Sequence, residues 1–318
     1  MDLSIICVNW NSLNYLRKCL ASLYAETKEI AFEIIIVDNA SPEGGIESLK
    51  ESFPAVQIVK SETNLGFARA NNLGFRYAKG KHVLLLNPDT QLRGPAINIL
   101  LDGISHLPDA GIVGGKLLNT DLSVQTAAVQ KFPTILSQIL NVEFLRLRWP
   151  GCPVWDISPL FRRNNHPVIV EVIPGACMLL RSDVFGKVGM FTDDFFMYGE
   201  DLDLNCKVRN LGLKNYYLED AEIIHHGGRS SSRQSVSNWS TLMMCRAMSK
   251  YYDKNRSPLY SGMYRYSMGI SAAGRLLLLA LAFPFVNREV FRAAFSKWGI
   301  VLRWVFGFSD MDSAGGKQ

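Results

Sequence analysis

Two acidic stretches, Leu86-Asn87-Pro88-Asp89 and Tyr198-Gly199-Glu200-Asp201-Leu202-Asp203, lie more than a hundred residues apart, each directly behind an apolar segment. A carboxylate where a strand stops at the rim of a cleft is a natural anchor for a hard cation, which prefers oxygen ligands. Asp89 suits that task, and a cation held there balances the charge of an anionic leaving group. The Glu200-Asp201 pair follows Phe195-Phe196-Met197-Tyr198, and burial against an aromatic wall keeps a base available near neutral pH. Both motifs also have plain readings. Asn-Pro-Asp makes a turn, and acids at a helix start are stabilised by the macrodipole. A third element, His225-His226-Gly227-Gly228-Arg229-Ser230, follows Ile223-Ile224. One imidazole there can ligate a metal or touch a diphosphate, while Arg229 and Arg233 offer phosphate partners.

The elements that must carry these groups show in the apolar periodicity. Leu3–Val8, Glu33–Val37, Val56–Val59 and His82–Leu86 read as strands with little alternation, which suits a parallel sheet covered on both faces. Ser12 stands as the N-cap of a helix with Leu13, Leu16, Leu20 and Leu23 along one stripe. Asn64-Leu65-Gly66 leads into a second helix through Ala68, Ala70 and Leu73. This βαβαβ rhythm predicts an open sheet whose ligands sit at the carboxyl ends of the strands. Asn9 and Asn11 follow the first strand, Asp38 and Asn39 the second, and Asn87 and Asp89 the fourth. The turn after the first strand, Val8-Asn9-Trp10-Asn11-Ser12, has no glycine, which excludes the Gly-rich pyrophosphate turn of a dehydrogenase-type dinucleotide fold. Residues 120–170 are rich in proline and predict a long irregular excursion, of the kind that forms lids and binding surfaces. Further strands are expected at Val168–Val172, Cys177–Leu180, Asn215–Leu218 and Ile223–Ile224, with a helix after Glu200.

With 318 residues the chain has room for one large domain and an appendage, and 48% hydrophobic against 20% charged residues fits a folded protein. A net charge of +5 suits anionic substrates or an anionic membrane surface. It is too small and too evenly spread through the first half to predict nucleic-acid binding. Six cysteines without a CxxC pair read as buried thiols and favour a reducing, cytoplasmic setting. No signal peptide is expected from the opening residues, and the apolar run Leu276–Val286 is too short to span a bilayer.

Taken together, Val8-Asn9-Trp10-Asn11, Val37-Asp38-Asn39-Ala40-Ser41, Asn64-Leu65-Gly66-Phe67-Ala68, Leu86-Asn87-Pro88-Asp89, Pro174-Gly175-Ala176-Cys177-Met178, Phe195 to Asp201 and His225 to Ser230 resemble the family 2 glycosyltransferases, and within them the bacterial rhamnosyltransferase-like branch. The resemblance runs from about residue 3 to 232 in the family's order. It implies an α/β GT-A fold: an open, mixed, mostly parallel sheet flanked by helices, with a C-terminal helical extension. It also implies inverting transfer of a sugar from a dTDP- or UDP-linked donor, dTDP-rhamnose among them. The acceptor would be a cell-surface glycan or lipid-linked glycan, and Mg2+ or Mn2+ the cofactor. By position, Asp38 resembles the acid that contacts the nucleotide base, and Asn9, Asn11, Asn64, Gly66 and Asn72 resemble donor-site residues, with Asn87 and Gly175 beside them. Asp89 resembles the metal-binding end of the DxD motif, Asp201 the general base with Glu200 adjacent, and His225 a metal or diphosphate ligand. Asn87 stands where the first DxD acid would be, which shifts coordination onto Asp89 and His225. The expected domains are 1–240, with a donor half to about 115 and an acceptor half beyond it, and a basic, aromatic-rich region from 241 to 318. Ten Lys and Arg in that region up to residue 308 face Asp253 and Glu289, with aromatics interleaved. Such a segment suits an anionic membrane surface, and also a packed helical subdomain or a homo-oligomer interface.

Overall fold

Near-continuous Ile, Val and Leu runs make strands that must be covered on both faces, and the computed structural model forms them so. It describes residues 1–164, 166–227, 238–283 and 287–308. The strands are β1 (Leu3–Asn9), β2 (Phe32–Asp38), β3 (Gln57–Lys60), β4 (His82–Leu86), β5 (Thr90–Arg93), β6 (Ala110–Leu118), β7 (Val168–Val170), β8 (Cys177–Arg181) and β9 (Lys214–His225). The helices are α1 (Leu13–Glu26), α2 (Leu49–Ser52), α3 (Gly66–Phe75), α4 (Ala96–His106), α5 (Ile135–Ile139), α6 (Glu143–Arg148), α7 (Ser182–Lys187), α8 (Glu200–Asn210), α9 (Asn238–Asn255), α10 (Pro258–Ala282) and α11 (Arg288–Val305).

Strands run in the order β3-β2-β1-β4-β8-β6-β9-β5, with β7 also on β9. Parallel pairing joins β3, β2, β1 and β4 and recurs between β6 and β9. β8, β5 and β7 pair antiparallel with their neighbours. The sheet is thus mixed, with its parallel character concentrated in the first four strands. Leu16, Cys19, Leu20 and Leu23 of α1 are buried, as are Ile5, Ile6, Ile35, Val37, Leu84 and Leu85 beneath the helices. Burying each such aliphatic side chain contributes roughly 1.5–3 kcal/mol.

Three local expectations change. Ser12 does occupy the N-cap position of α1, but its side chain makes no cap bond; its hydroxyl donates instead to Asn9 Oδ1 at 2.9 Å. The two short strands expected at 215–218 and 223–224 are one strand, β9. Glu219-Asp220-Ala221 breaks the apolar run, and the register against β6 shifts there, from Gly115↔Leu218 to Lys116↔Glu222, so a bulge absorbs the extra residues. The proline-rich excursion contains α5, α6 and a 3-10 turn at Ser158–Phe161.

The chain divides into two compact units, residues 1–132 with 142–232, and residues 133–141 with 233–318. The first holds the sheet. In the second, α9, α10 and α11 bury Tyr251, Tyr252, Tyr264 and Trp304. The Ser257 hydroxyl caps α10 by accepting from the Tyr260 N–H at 3.1 Å, and Asn287 caps α11 through the Glu289 N–H at 2.8 Å.

Candidate active site

Because β1, β2 and β4 are parallel and adjacent, their carboxyl ends deliver polar residues to one edge of the sheet. Asn9 is opposite Asp38 in the β1/β2 register, and its amide donates to Asp38 Oδ1 at 3.0 Å and to Ser41 Oγ at 2.9 Å. Its own carbonyl oxygen takes the Ser12 hydroxyl. Every polar end of buried Asn9 is therefore engaged in orienting Asp38 and the loop after β2. Asn11, at a φ of +50°, accepts from the Glu43 N–H at 3.2 Å. Asn39 donates to Asn64 Oδ1 at 2.9 Å and to the Gly66 carbonyl at 3.3 Å. Asn64 Oδ1 also takes the Gly66 N–H at 2.9 Å, which pins the entry to α3.

Gly66 has a φ of +77°, and a Cβ there would lie 2.2 Å from the Phe196 carbonyl. The Phe67 N–H donates to that same carbonyl at 2.8 Å, so the aromatic loop before α8 is latched on the start of α3. Asn72 completes the latch: its oxygen accepts from the Phe191 N–H at 3.0 Å, and its amide donates to the Phe191 carbonyl and Asp193 Oδ1, both at 2.9 Å. With both amide ends bound inside the chain, Asn72 holds the loop in place rather than presenting a free group at the cleft.

The loop ends with Tyr198 at a φ of +68° and Gly199 at +81°. Positive φ at Asn11, Ala40 and Tyr198, all beside this edge, is the strained backbone that tends to gather at working sites. From Gly199 the chain turns into α8 and sets Glu200, Asp201 and Asp203 in its first turn. Asp203 is fully buried, accepts the Thr192 hydroxyl at 2.5 Å and faces Lys207 Nζ at 3.4 Å. That makes it a structural acid. Asp201 is half-buried, and its two oxygens accept separately, from the Leu202 N–H at 2.8 Å and the Gly175 N–H at 3.2 Å. Burial pushes its carboxyl above the ordinary range, and these two bonds pull the other way. Glu200 is 6% exposed, and its Oε2 is buried without a hydrogen-bond partner. Burial, then the charge of Asp201, pushes Glu200 up to about 8.

Asn87 connects this side to the other. Its N–H donates to the Ala176 carbonyl at 3.0 Å, one residue from the Gly175 that holds Asp201. Its side-chain amide is 3.3 Å from His225 Nε2, and His225 Nε2 is 3.4 Å from Asp89 Oδ1. Asp89 is 3% exposed, and its carbonyl takes the His226 N–H at 2.9 Å. His225 reaches Asp89 because β5 pairs with β9, Thr90 opposite His225. The neighbouring His226 turns away, its Nε2 2.7 Å from Gln91 Oε1 and its ring 5.2 Å from that of Tyr15. Arg229 and Arg233 lie outside the described residues.

Gln125 was not among the sequence candidates. Its Oε1 is 3.0 Å from His225 Nδ1, and its Nε2 donates to the His225 carbonyl at 2.5 Å. The Gln125 contacts place a proton on Nδ1, so Nε2 is the ring nitrogen that faces Asp89 and Asn87. Gln125 reaches the site because its N–H pairs with the carbonyl of Leu117, near the end of β6, which makes it a partner 100 residues from His225 that no local pattern announces. One carboxylate and one imidazole nitrogen at this spacing fit a divalent cation such as Mn2+ or Mg2+, provided that substrate oxygens fill the remaining positions. Among the described residues no group of three or more His, Cys, Asp or Glu side chains is placed to hold a metal without them.

Residues 4–189 match the model of glycosyl transferase family 2. The chain is 30% identical over 247 residues to the N-acetylglucosaminyl-diphospho-decaprenol L-rhamnosyltransferase of Mycobacterium tuberculosis, covering 74% of this chain and 80% of that protein. It is 26% identical over 240 residues to rhamnosyltransferase WbbL of Escherichia coli K12, covering 70% and 82%. In solved structures it is similar to the mannosyltransferase PcManGT of Pyrobaculum calidifontis in complex with GDP-Man and Mn2+ (TM-score 0.57, 13% identity, 96% of this chain and 86% of that one). It is also similar to GalNAc-T7 with UDP, GalNAc and Mn2+ (TM-score 0.58, 16% identity, 96% and 56%). These neighbours carry the GT-A fold. A mixed sheet that collects acids at its carboxyl edge, a family model spanning more than half the chain and rhamnosyltransferases among its relatives lead to one assignment: this chain is a glycosyltransferase and belongs to glycosyl transferase family 2.

Proposed function

We propose that this enzyme transfers a sugar, with inversion, from a nucleoside diphosphate donor to a hydroxyl of a glycan or lipid-linked glycan, and that rhamnose from dTDP-rhamnose is the sugar moved. The observation that supports it most is the continuous run Asp89–His225–Asn87–Ala176–Gly175–Asp201, which ties a cation-type carboxylate to a base-type carboxylate across one strand end. Its rhamnosyltransferase relatives, one of them named for a diphospho-decaprenol acceptor, support the sugar and the acceptor class.

In this reading residues 1–115 bind the donor, 116–240 bind the acceptor, and 241–318 form a separate region. Asp38, oriented by Asn9, accepts an N–H of the base. Asn11, Asn64 and Gly66 shape the loops around the donor, while Asn72 fixes the aromatic loop opposite. Asp89 and His225 would hold Mg2+ or Mn2+, which, when bound, neutralises charge developing on the departing diphosphate. Asp201 accepts the acceptor hydroxyl proton while that oxygen attacks the anomeric carbon. The new C–O bond forms on the face opposite the breaking C–O bond, whose electron pair leaves with the nucleoside diphosphate. The two backbone N–H groups on Asp201 aim its carboxylate and favour its charged form against the opposing effect of burial. Glu200, protonated beside it, adds no second repelling charge below about pH 8.

Purified chain should release nucleoside diphosphate from dTDP-rhamnose faster than from UDP-sugars, in the presence of Mn2+ and an N-acetylglucosaminyl-diphospho-polyprenol acceptor. Faster release from a UDP-sugar would replace the donor. Absence of turnover with every sugar nucleotide, alongside measurable nucleotide binding, would replace the enzyme reading with that of a binding module.

The role of Gln125 gives a second expectation. Gln125→Leu removes the acceptor at His225 Nδ1, so Mn2+ affinity measured with dTDP present should fall about 10–100-fold. Nitrogen-15 shifts of His225 should show mixed ring tautomers without any metal added. Unchanged shifts together with unchanged affinity would remove Gln125 from the site.

A further inference from the structure

The second unit carries two outward faces that the sugar-transfer chemistry does not use. α10 is 25 residues long, about 37 Å at 1.5 Å per residue. Its exposed side presents Leu259, Met263, Tyr266, Ile270, Leu277 and Leu281, between 53% and 77% exposed. At 3.6 residues per turn these six positions fall within a sector of roughly 60°. The charged residues of α10, Arg265 and Arg275, both turn inward. Arg265 donates to the Trp304 carbonyl at 2.7 Å and lies over that ring at 5.2 Å. Arg275 donates to the Ile139 carbonyl at 2.9 Å and lies over the Trp298 ring at 4.4 Å. The outer stripe is therefore apolar from end to end.

α11 folds back antiparallel to α10, with Arg265 meeting Trp304 and Phe283 meeting Phe291, whose ring centroids are 4.9 Å apart. Its exposed side is of another kind: Arg288, Arg292 and Arg303 share one face with Phe295, and Phe306 follows at the helix end. Apolar seam, aromatic residues and guanidinium groups on one helical pair are what a surface-lying membrane helix requires: side chains that enter the acyl boundary and cations that reach the headgroups. Among the described residues no helix is long and apolar enough to cross a membrane.

We propose that α10 and α11 form a docking surface for an anionic lipid bilayer, with the α10 stripe at the acyl boundary and Arg288, Arg292 and Arg303 on lipid phosphates. Charge selects this occupant over a second copy of the chain. Residues 238–308 hold ten Lys and Arg against two Asp and Glu, a net of +8, while the whole chain is +5. Two copies meeting through this unit would repel, whereas anionic headgroups attract it, each basic side chain near the surface strengthening binding about fivefold. The proposal stands on the second unit alone and does not depend on the sugar transferred.

The test uses the full chain and vesicles of phosphatidylcholine with and without 30% phosphatidylglycerol, by co-sedimentation. Wild type should bind the anionic vesicles at least tenfold more tightly than the neutral ones, and less tightly at high salt. Leu277→Glu with Leu281→Glu should lose at least tenfold of that binding. Both leucines are more than 60% exposed, so the fold is kept, and an unchanged thermal melt and unchanged donor binding check this. Arg288→Gln with Arg292→Gln should weaken binding to anionic vesicles roughly thirty-fold and leave neutral vesicles unaffected. Wild type that ignores anionic vesicles, or a double glutamate variant that binds as well as wild type, overturns the proposal. So does a wild-type dimer in sedimentation velocity that Leu277→Glu with Leu281→Glu dissolves while vesicle binding stays the same, since the stripe then belongs to a second copy.

Discussion

Asp201→Asn should reduce kcat by about 10²–10⁴-fold, the usual contribution of a general base, and change donor affinity by no more than about twofold. The substitution preserves volume and shape but removes the site that takes the acceptor proton. Asp201 accepts from Leu202 on one oxygen and from Gly175 on the other. An asparagine keeps one of these bonds and turns an N–H toward the other donor, an unfavourable pairing of about 1–3 kcal/mol. It also removes a carboxylate whose ionisation burial opposes, so the two changes in stability partly offset. The loss is therefore expected in the chemical step rather than in folding. Single-turnover transfer, nucleotide titration and a thermal melt on the same preparation separate the three. Retention of more than a tenth of wild-type kcat would move the base elsewhere, Glu200 being the next carboxylate in line.

How far such a site is visible in a sequence depends on how local its causes are. The four apolar runs that became β1 to β4 carry their own strand signal, and parallel order puts their carboxyl ends side by side. Asp38, Asn87 and Asp89 could thus be assigned to one edge before any coordinates. The acids after Tyr198 were equally legible, because a left-handed Gly199 followed by Glu and Asp starts a helix. What could not be read were pairings across long separations. The family resemblance singles out His225, but the residues alone leave His225 and His226 open. What brings His225 to Asp89 is β5 lying antiparallel to β9, and strand register flips a side chain to the opposite face with each residue. Gln125 has no local signature, since its role comes from a chain crossing at the end of β6. Asn72 resembles a donor-site amide, and nothing near it in the sequence announces that the loop at 191–193 occupies both of its ends. In the C-terminal region the charge bias was countable, but which leucines of α10 face outward was not. A helix that is apolar nearly all round gives no preferred side until its neighbours are known.

Glu200→Gln should make the protein more stable than wild type, by a margin that grows from pH 5 to pH 8. Glu200 is pushed from 4.5 to about 8, first by burial and then by Asp201. Through that window the folded protein keeps a proton that the unfolded chain has released. Folding therefore binds protons, and stability falls as pH rises until Glu200 ionises in the folded state as well. Below 4.5 both states hold the proton and the penalty vanishes. At pH 7 the penalty is on the order of 3 kcal/mol, from 1.36 kcal/mol per pH unit over the interval above 4.5. A glutamine has the same shape and no charge to bury, which removes the slope. The buried Oε2 makes no hydrogen bond, so the substitution breaks no partner at that atom. Because Glu200 is already neutral below about pH 8, the acid limb of kcat should stay where it is in this variant. Melting temperatures of both proteins at pH 5, 6, 7 and 8 give the answer directly. A gap that stays constant across that range would mean that Glu200 titrates as an ordinary surface carboxylate, and that the site holds no stored cost for its second acid.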